Sequence, residues 1–140
     1  LRDGFQAGYA PSGGDFGLPP GVESVVGSWR DPHGRESVGL LDAATGALRR
    51  VYRSPRARSG FGSAVAIHGD RILVGAPDVD DGDGRAYLFA RASGARLRTY
   101  RVGPRGDGGG VGRDVALAAA LAVVGAPGSG HVLVLRAPVR

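Results

Sequence analysis

A chain of 140 residues is the size of one domain and can bury about two thirds of its unfolded surface if it closes on itself. With 26 glycines and few aromatics, its core must come from Val, Leu, Ile and Ala, which favours thin, closely spaced sheets over bulky helical packing. All 18 basic residues are arginine, the net charge is +5, and the lack of cysteine excludes a disulfide framework or a cysteine-bound metal. So uniform an arginine content ties the charge to composition as much as to a polyanion partner. The longest apolar stretch, Val115 to Val124, is too short to span a bilayer, so no membrane span is expected. No charged leader or hydrophobic signal segment opens at Leu1, and the sequence reads as a mature region or an internal fragment.

In chain order, residues 1–15 carry glycines and a proline without alternation, and read as a linker or the tail of a preceding unit. A degenerate repeat occupies 16–59. It opens at Phe16-Gly17, is disfavoured as paired strand by Pro19-Pro20, and then gives short strands at SVVGSW, SVGLLD and ALRRVY. Its Phe-Gly to mid-repeat glycine gap, Gly17 to Gly27, is ten residues against thirteen for Gly62 to Gly75. The cleanest repeat spans 60–110, with strands expected at 63–67, 71–76, 85–91 and 95–101. Its second strand ends at Gly75-Ala76-Pro77, where small residues let backbones approach and proline withholds an N–H from the ladder. An incomplete repeat follows at 111–140. The run VALAAALAVV favours helix by propensity, but the offset of fifty from Gly62/Gly112 through Pro77/Pro127 places two strands there, with a turn at Ala118–Ala120.

Together Phe61-Gly62, Val65-Ala66-Ile67, Gly69-Asp70, Val74-Gly75-Ala76-Pro77 and Ala86-Tyr87-Leu88-Phe89 resemble the FG-GAP repeat of integrin-α-like β-propellers and of bacterial surface proteins. The phrase DAATGALRRVY at 42–52 is similar to the linker between blades in the bacterial versions, and Gly27-Ser28-Trp29 stands where Gly-Ala-Pro is expected. The resemblance implies an all-β fold of four-stranded antiparallel blades, each about 50 residues. Propellers close with about four to eight blades. This sequence supplies a partial propeller of about two and a half to three, so other blades of a longer chain or further copies in a homo-oligomer would complete a ring.

Many blades of that family hold calcium between their first two strands, but here those connections are the short HGDR and AAAL. The carboxylates gather instead at Asp78, Asp80, Asp81 and Asp83, in PDVDDGDG. Four acids so close could collect Ca2+, yet they lack the alternate ligands and distal acid of a cation loop. A solvated acidic loop, neutralised by Arg85 and Arg91, is the favoured reading, and no cofactor is expected. Trp29, Arg30, His33 and Arg35 form a candidate binding rim, with Trp29 able to pack between blades or to stack on a sugar or aromatic ligand. Arg105-Gly106-Asp107 spells an integrin-recognised tripeptide, but composition makes coincidence the favoured reading.

No nucleophile elbow, cysteine nucleophile or glutamate pair is present beyond Glu23 and Glu36. The sequence therefore reads as a non-enzymatic binding or structural module taking a protein or glycan ligand. By resemblance it is extracellular, on the cell surface or periplasmic. One alternative is a quinone-dependent (PQQ-like) propeller enzyme, since LDAATGALRRVY also resembles a phrase of those blades, although Val51-Tyr52 replaces its tryptophan. Another is polyanion binding through Arg49, Arg50, Arg53, Arg56 and Arg58, with nucleic acid not the expected partner.

Overall fold

A computed structural model describes residues 6–7, 24–42, 45–102 and 109–136. They form three antiparallel sheets and almost no helix. The first sheet orders β1 (Gln6–Ala7), β2 (Ser24–Arg30), β3 (Glu36–Asp42) and β4 (Leu48–Arg53) side by side. The second holds β5 (Ala64–His68), β6 (Arg71–Ala76), β7 (Arg85–Ala90) and β8 (Arg96–Tyr100). The third consists, among the described residues, of β9 (Asp114–Leu117), β10 (Leu121–Ala126) and β11 (His131–Arg136).

Two features differ from the sequence expectations. Gln6–Ala7, within the segment read as a linker or the tail of a preceding unit, pairs with Ser28 and Gly27 at the edge of the first sheet. In addition, the first repeat is one residue out of the expected phase. Ser28 faces Val38 across the ladder, as Gly75 faces Ala86, and Val38 then faces Tyr52 as Ala86 faces Tyr100. A bulge falls at the same place in both sheets, at Leu40/Leu41 and Leu88/Phe89. Ser28, not Gly27, thus occupies the position of Gly75, and Trp29 that of Ala76. In the third repeat, register overrides the helix propensity of alanine. Ala118 N–H donates to Leu121 O at 2.8 Å, closing the Ala118–Ala120 turn between two strands.

The second sheet lies between the other two, which explains why β6 and β7 are apolar on both faces. Side chains alternate across a strand. Ile72, Val74, Ala76, Tyr87 and Phe89 pack with Val38, Leu40 and Tyr52 of the first sheet, and Leu73, Ala86, Leu88 and Tyr100 pack with Ala122, Val124 and Ala126 of the third and with Val111 just before it. Phe61 completes the first core, edge-on to Phe89 with ring centroids 5.9 Å apart. Arg71, the buried charge of β6, donates from its guanidinium to the carbonyls of Ala118 and Ala119 and so ties the second sheet to the third.

Candidate functional site

The first and second sheet interfaces use the same parts with different results. At the second, Gly84 makes a parallel bridge with Val111: Val111 N–H donates to Asp83 O at 3.0 Å, and Gly110 N–H to Gly82 O at 2.8 Å. A Cβ on Gly84 would lie 2.3 Å from both the nitrogen and the oxygen of Val111, so only glycine permits that approach. At the first interface the equivalent residue, two before Val38, is Glu36. Its side chain occupies the space the bridge would need.

The Glu36 carboxylate replaces the missing main-chain partner. Oε1 accepts the Ser59 N–H at 2.7 Å and the Ser59 hydroxyl at 3.2 Å. The Ser59 hydroxyl also receives Phe61 N–H at 3.3 Å and lies 2.9 Å from the Ser54 hydroxyl, while Ser54 N–H donates to Glu36 O at 2.9 Å. The carboxylate thus saturates the Ser59 donors, which would otherwise be buried unpaired, while main-chain bonds from Arg58 N–H to Gly34 O at 3.2 Å and from Asp78 N–H to Ser59 O at 2.8 Å help hold the connection. Among the described residues its second oxygen, Oε2, meets only the guanidinium of Arg30, at 3.5 Å.

With the connection held off β2 in this way, a cleft of about 520 Å³ opens between the two sheets. Ser28, Trp29, Arg30 and Glu36 line one side, and Gly60, Phe61, Gly62, Ser63 and Asp78 the other. The volume is in the range of small-ligand sites. Gly62 takes φ 95°, and a Cβ there would come within 3.0 Å of Ser28 Cβ, so the cleft floor is close-packed. Asp78 folds over Gly60, and among the described residues no hydrogen bond or ion pair engages its carboxylate.

The sequence-derived candidates separate. Trp29 and Arg30 line the cleft, whereas His33 and Arg35 are exposed on the adjoining turn and are absent from its lining. That turn is fixed by Asp31, whose Oδ1 accepts the N–H groups of His33 and Arg35, each at 2.9 Å. The bond from Arg35 N–H, more than any other influence, holds the Asp31 carboxyl below its ordinary pKa.

The aspartates of the acidic loop take different surroundings. Asp80 sits between two guanidinium groups, with Arg85 Nη2 at 2.6 Å and Arg56 Nη1 at 3.1 Å. Asp81 is exposed, Asp83 is buried, and Asp78 belongs to the cleft. Asp80 and Asp81 adopt φ 51° and 59°, the left-handed conformation that Asp tolerates in tight turns. Among the described residues no three His, Cys or carboxylate side chains are placed to hold a metal ion.

Of the arginines considered for polyanions, Arg49 pairs with Asp42 at 2.6 Å, Arg50 donates to Ser93 O at 3.1 Å and Arg56 to Asp80, while Arg53 and Arg58 are exposed. Arg105-Gly106-Asp107 lies outside the described residues.

Glu36, Gly60, Ser63 and the cleft itself were not singled out from sequence. Aligning the repeats on Tyr52 and Tyr100 instead of on their glycines places Glu36 opposite Gly84, and that substitution was the available signal.

The family model of the FG-GAP repeat matches residues 55–89, from the Ser59 connection through β5 and β6 to Phe89 of β7. This segment carries the resemblance noted from Phe61-Gly62 and Gly75-Ala76-Pro77. A search of curated proteins found no match.

Proposed function

We propose that this chain is a non-enzymatic binding module in which FG-GAP repeats form the blades of a β-propeller, and that its ligand sits in the cleft between the first and second sheets. The observation that carries this reading is the cleft itself. Arg30, Glu36 and Asp78 line one 520 Å³ space at a place where the neighbouring interface is closed by main chain. Convergent polar groups in a concavity mark a binding site more than a structural seam. Repeats of this family serve generally as structural or binding units, which supports a role without catalysis. The extracytoplasmic location is carried by the family resemblance alone.

The propeller reading is supported by the outer face of the third sheet. Val132 and Val134 are 70% and 62% exposed, whereas their register equivalents Ala86 and Leu88 are fully buried against the next sheet. Such a face suits another blade, from a longer chain or a second copy. Light scattering that finds a discrete oligomer supports closure by copies, and a monomer removes that route.

The binding reading is tested by screening the chain on glycan and peptide arrays beside its Ser63→Arg variant. Arg113 is the natural counterpart of Ser63 in the third repeat, so the exposed substitution should fold while filling the cleft mouth. Loss of a bound ligand in the variant is expected. A ligand bound equally by both proteins would place the site elsewhere.

A further inference from the structure

Taking the cleft as the ligand seat, as proposed above, its charged side chains also select a ligand chemistry. Side chains alternate along β2, so Ser28 and Arg30 face the cleft while the Trp29 indole is turned to the other face of the sheet. The charged groups that line the space are Arg30, Glu36 and Asp78, and two carboxylates against one guanidinium leave one negative charge. The carboxylates bracket a single dipeptide of the connection. Glu36 Oε1 takes the Ser59 N–H at 2.7 Å, and Asp78 Oδ2 would lie 2.7 Å from a Cβ placed on the next residue, Gly60. Adjacent residues have Cα atoms about 3.8 Å apart, so both carboxylates belong to one end of the cleft.

Both carboxylates still lack donors. Asp78 is exposed, and among the described residues no hydrogen bond or ion pair engages it. The Glu36 side chain is only 7% exposed, yet among the described residues its Oε2 meets just the Arg30 guanidinium, at 3.5 Å. A charge-assisted N–H···O bond is about 2.7–2.9 Å long. That contact therefore leaves a buried anionic oxygen short of a donor. Nor does it lock Arg30 in place, since 62% of the Arg30 side chain is exposed and a pair so open to water contributes little. An anion entering the cleft would meet Asp78 and Oε2, whereas a cation supplies the missing donors and neutralises the excess charge. Among cationic side chains, the planar guanidinium carries five donors in a fork that can serve two carboxylates at once, while an ammonium acts as a point charge. The hydroxyls of Ser28 and Ser63 remain for main-chain amides on either side of it. We infer that the cleft takes an arginine side chain of a peptide partner, its guanidinium between Oε2 of Glu36 and the carboxylate of Asp78. Arg30 is then the competing cation that the ligand displaces.

The intact protein, isotope-labelled for NMR, is titrated with N-acetylarginine methylamide and in parallel with the citrulline, lysine and glutamate analogues, citrulline being the neutral isostere of arginine. Saturable shifts of the Ser59, Gly60 and Ser63 amides are expected with the arginine compound in the millimolar range, and binding about tenfold weaker with citrulline, the loss appropriate to charge-assisted hydrogen bonds. Asp78→Asn and Glu36→Gln should each weaken binding to a similar extent, and circular dichroism establishes that both variants are folded. Arg30→Gln should tighten it about threefold, because the competing guanidinium is gone. A merely structural role for the two carboxylates would not produce that gain. Binding of the citrulline or lysine compound as tight as that of arginine, a preference for glutamate, no saturable shift, or no gain in Arg30→Gln overturns the arginine assignment. The cleft as a binding seat survives those outcomes if an array ligand is still lost in Ser63→Arg. Saturable shifts confined to amides remote from the cleft refute the assignment and the site together.

Discussion

The two interfaces between the three sheets are built on one plan and end up as different objects. Each places an X-Gly dipeptide against the preceding sheet, Phe61-Gly62 on the first and Val111-Gly112 on the second. Each is tied at its far side by a tyrosine, Tyr52 donating to Arg91 O at 2.6 Å and Tyr100 to Arg136 O at 3.1 Å. At the second interface Gly112 meets Gly75, and Gly84 meets Val111, main chain against main chain. At the first, Ser28 and Glu36 replace those two glycines of the older sheet, and aromatic rings fill the core behind them. Two side chains in place of two hydrogens turn a sealed seam into an open cleft. The departures from the repeat are thus where a ligand can enter, and the faithful repeat is where the sheets are locked.

The contrast breaks most sharply at Gly75. A Cβ added there would sit 1.8 Å from the carbonyl oxygen of Gly112, a backbone atom that cannot swing aside, so Gly75→Ala must part the second and third sheets. We expect a loss on the order of 3 kcal/mol or more, at the severe end of overpacking. Gly125 holds the same place in the third repeat, but the nearest atom to its added Cβ is 3.5 Å away and belongs to its own sheet. Gly125→Ala should change stability by less than about 1 kcal/mol, and stiffening of the unfolded chain favours the alanine. Urea denaturation of the two variants makes the comparison. Similar losses in both would show that glycine is required by the strand and not by the approach of the next sheet.

Glu36 gives the next largest effect. Glu36→Ala strips the acceptor from Ser59 N–H and its hydroxyl in a buried setting and should cost about 2–3 kcal/mol. Glu36→Gln keeps an oxygen for Ser59 and should lose about 1 kcal/mol or less. If the two variants unfold at the same urea concentration, the carboxylate does not hold the connection.

Much of the architecture was legible in the sequence because it rests on local pattern. The apolar runs on either side of His68–Arg71 and Ala118–Leu121 mark paired strands, and the constant offset of the second and third repeats outweighed the helix propensity of alanine. The phase of the first repeat was not legible. Its glycine at 27 is the obvious anchor, but register is set by cross-strand partners, and Val38 with Tyr52 fixes Ser28 in the glycine position. Gln6–Ala7 was hidden for a similar reason, since a two-residue strand has no periodicity to display. Trp29 and Arg30 could be chosen from residue type, but the cleft they line with Asp78 depends on packing between sheets. Glu36 carries no local signal, and only the register sets it in the position of Gly84.

Removing the two tyrosine hydroxyls compares the interfaces at a smaller scale. Tyr52→Phe and Tyr100→Phe each delete one bond to a carbonyl of the following sheet, worth about 0.5–1.5 kcal/mol. The bond from Tyr52 is the shorter, so its variant should lose at least as much. Urea midpoints read in parallel decide this, and a clearly larger loss at Tyr100 would invert the ranking.

The last difference is silent at neutral pH and emerges in alkali. Burial raises the pKa of Tyr52, Tyr87 and Tyr100, against the opposing influence of nearby arginines, Arg50 and Arg91 at the first, Arg85, Arg56 and Arg96 at the second, Arg98 and Arg71 at the third. The folded protein therefore keeps these phenols protonated where the unfolded chain, near pH 10, has begun to release them. Stability carried by the phenols is complete below that ordinary value and falls as pH rises through the folded one. Two of the three lie in the aromatic core shared by the first and second sheets, and one in the core of the second and third. The cleft interface should consequently fail first as alkali is added. Trp29 sits on β2 of the first sheet, so its emission should shift as that sheet comes apart, together with the first cooperative rise in tyrosinate absorbance. Emission that stays constant until all the remaining structure is lost would mean that the two interfaces, for all their difference in fit, unfold as one unit.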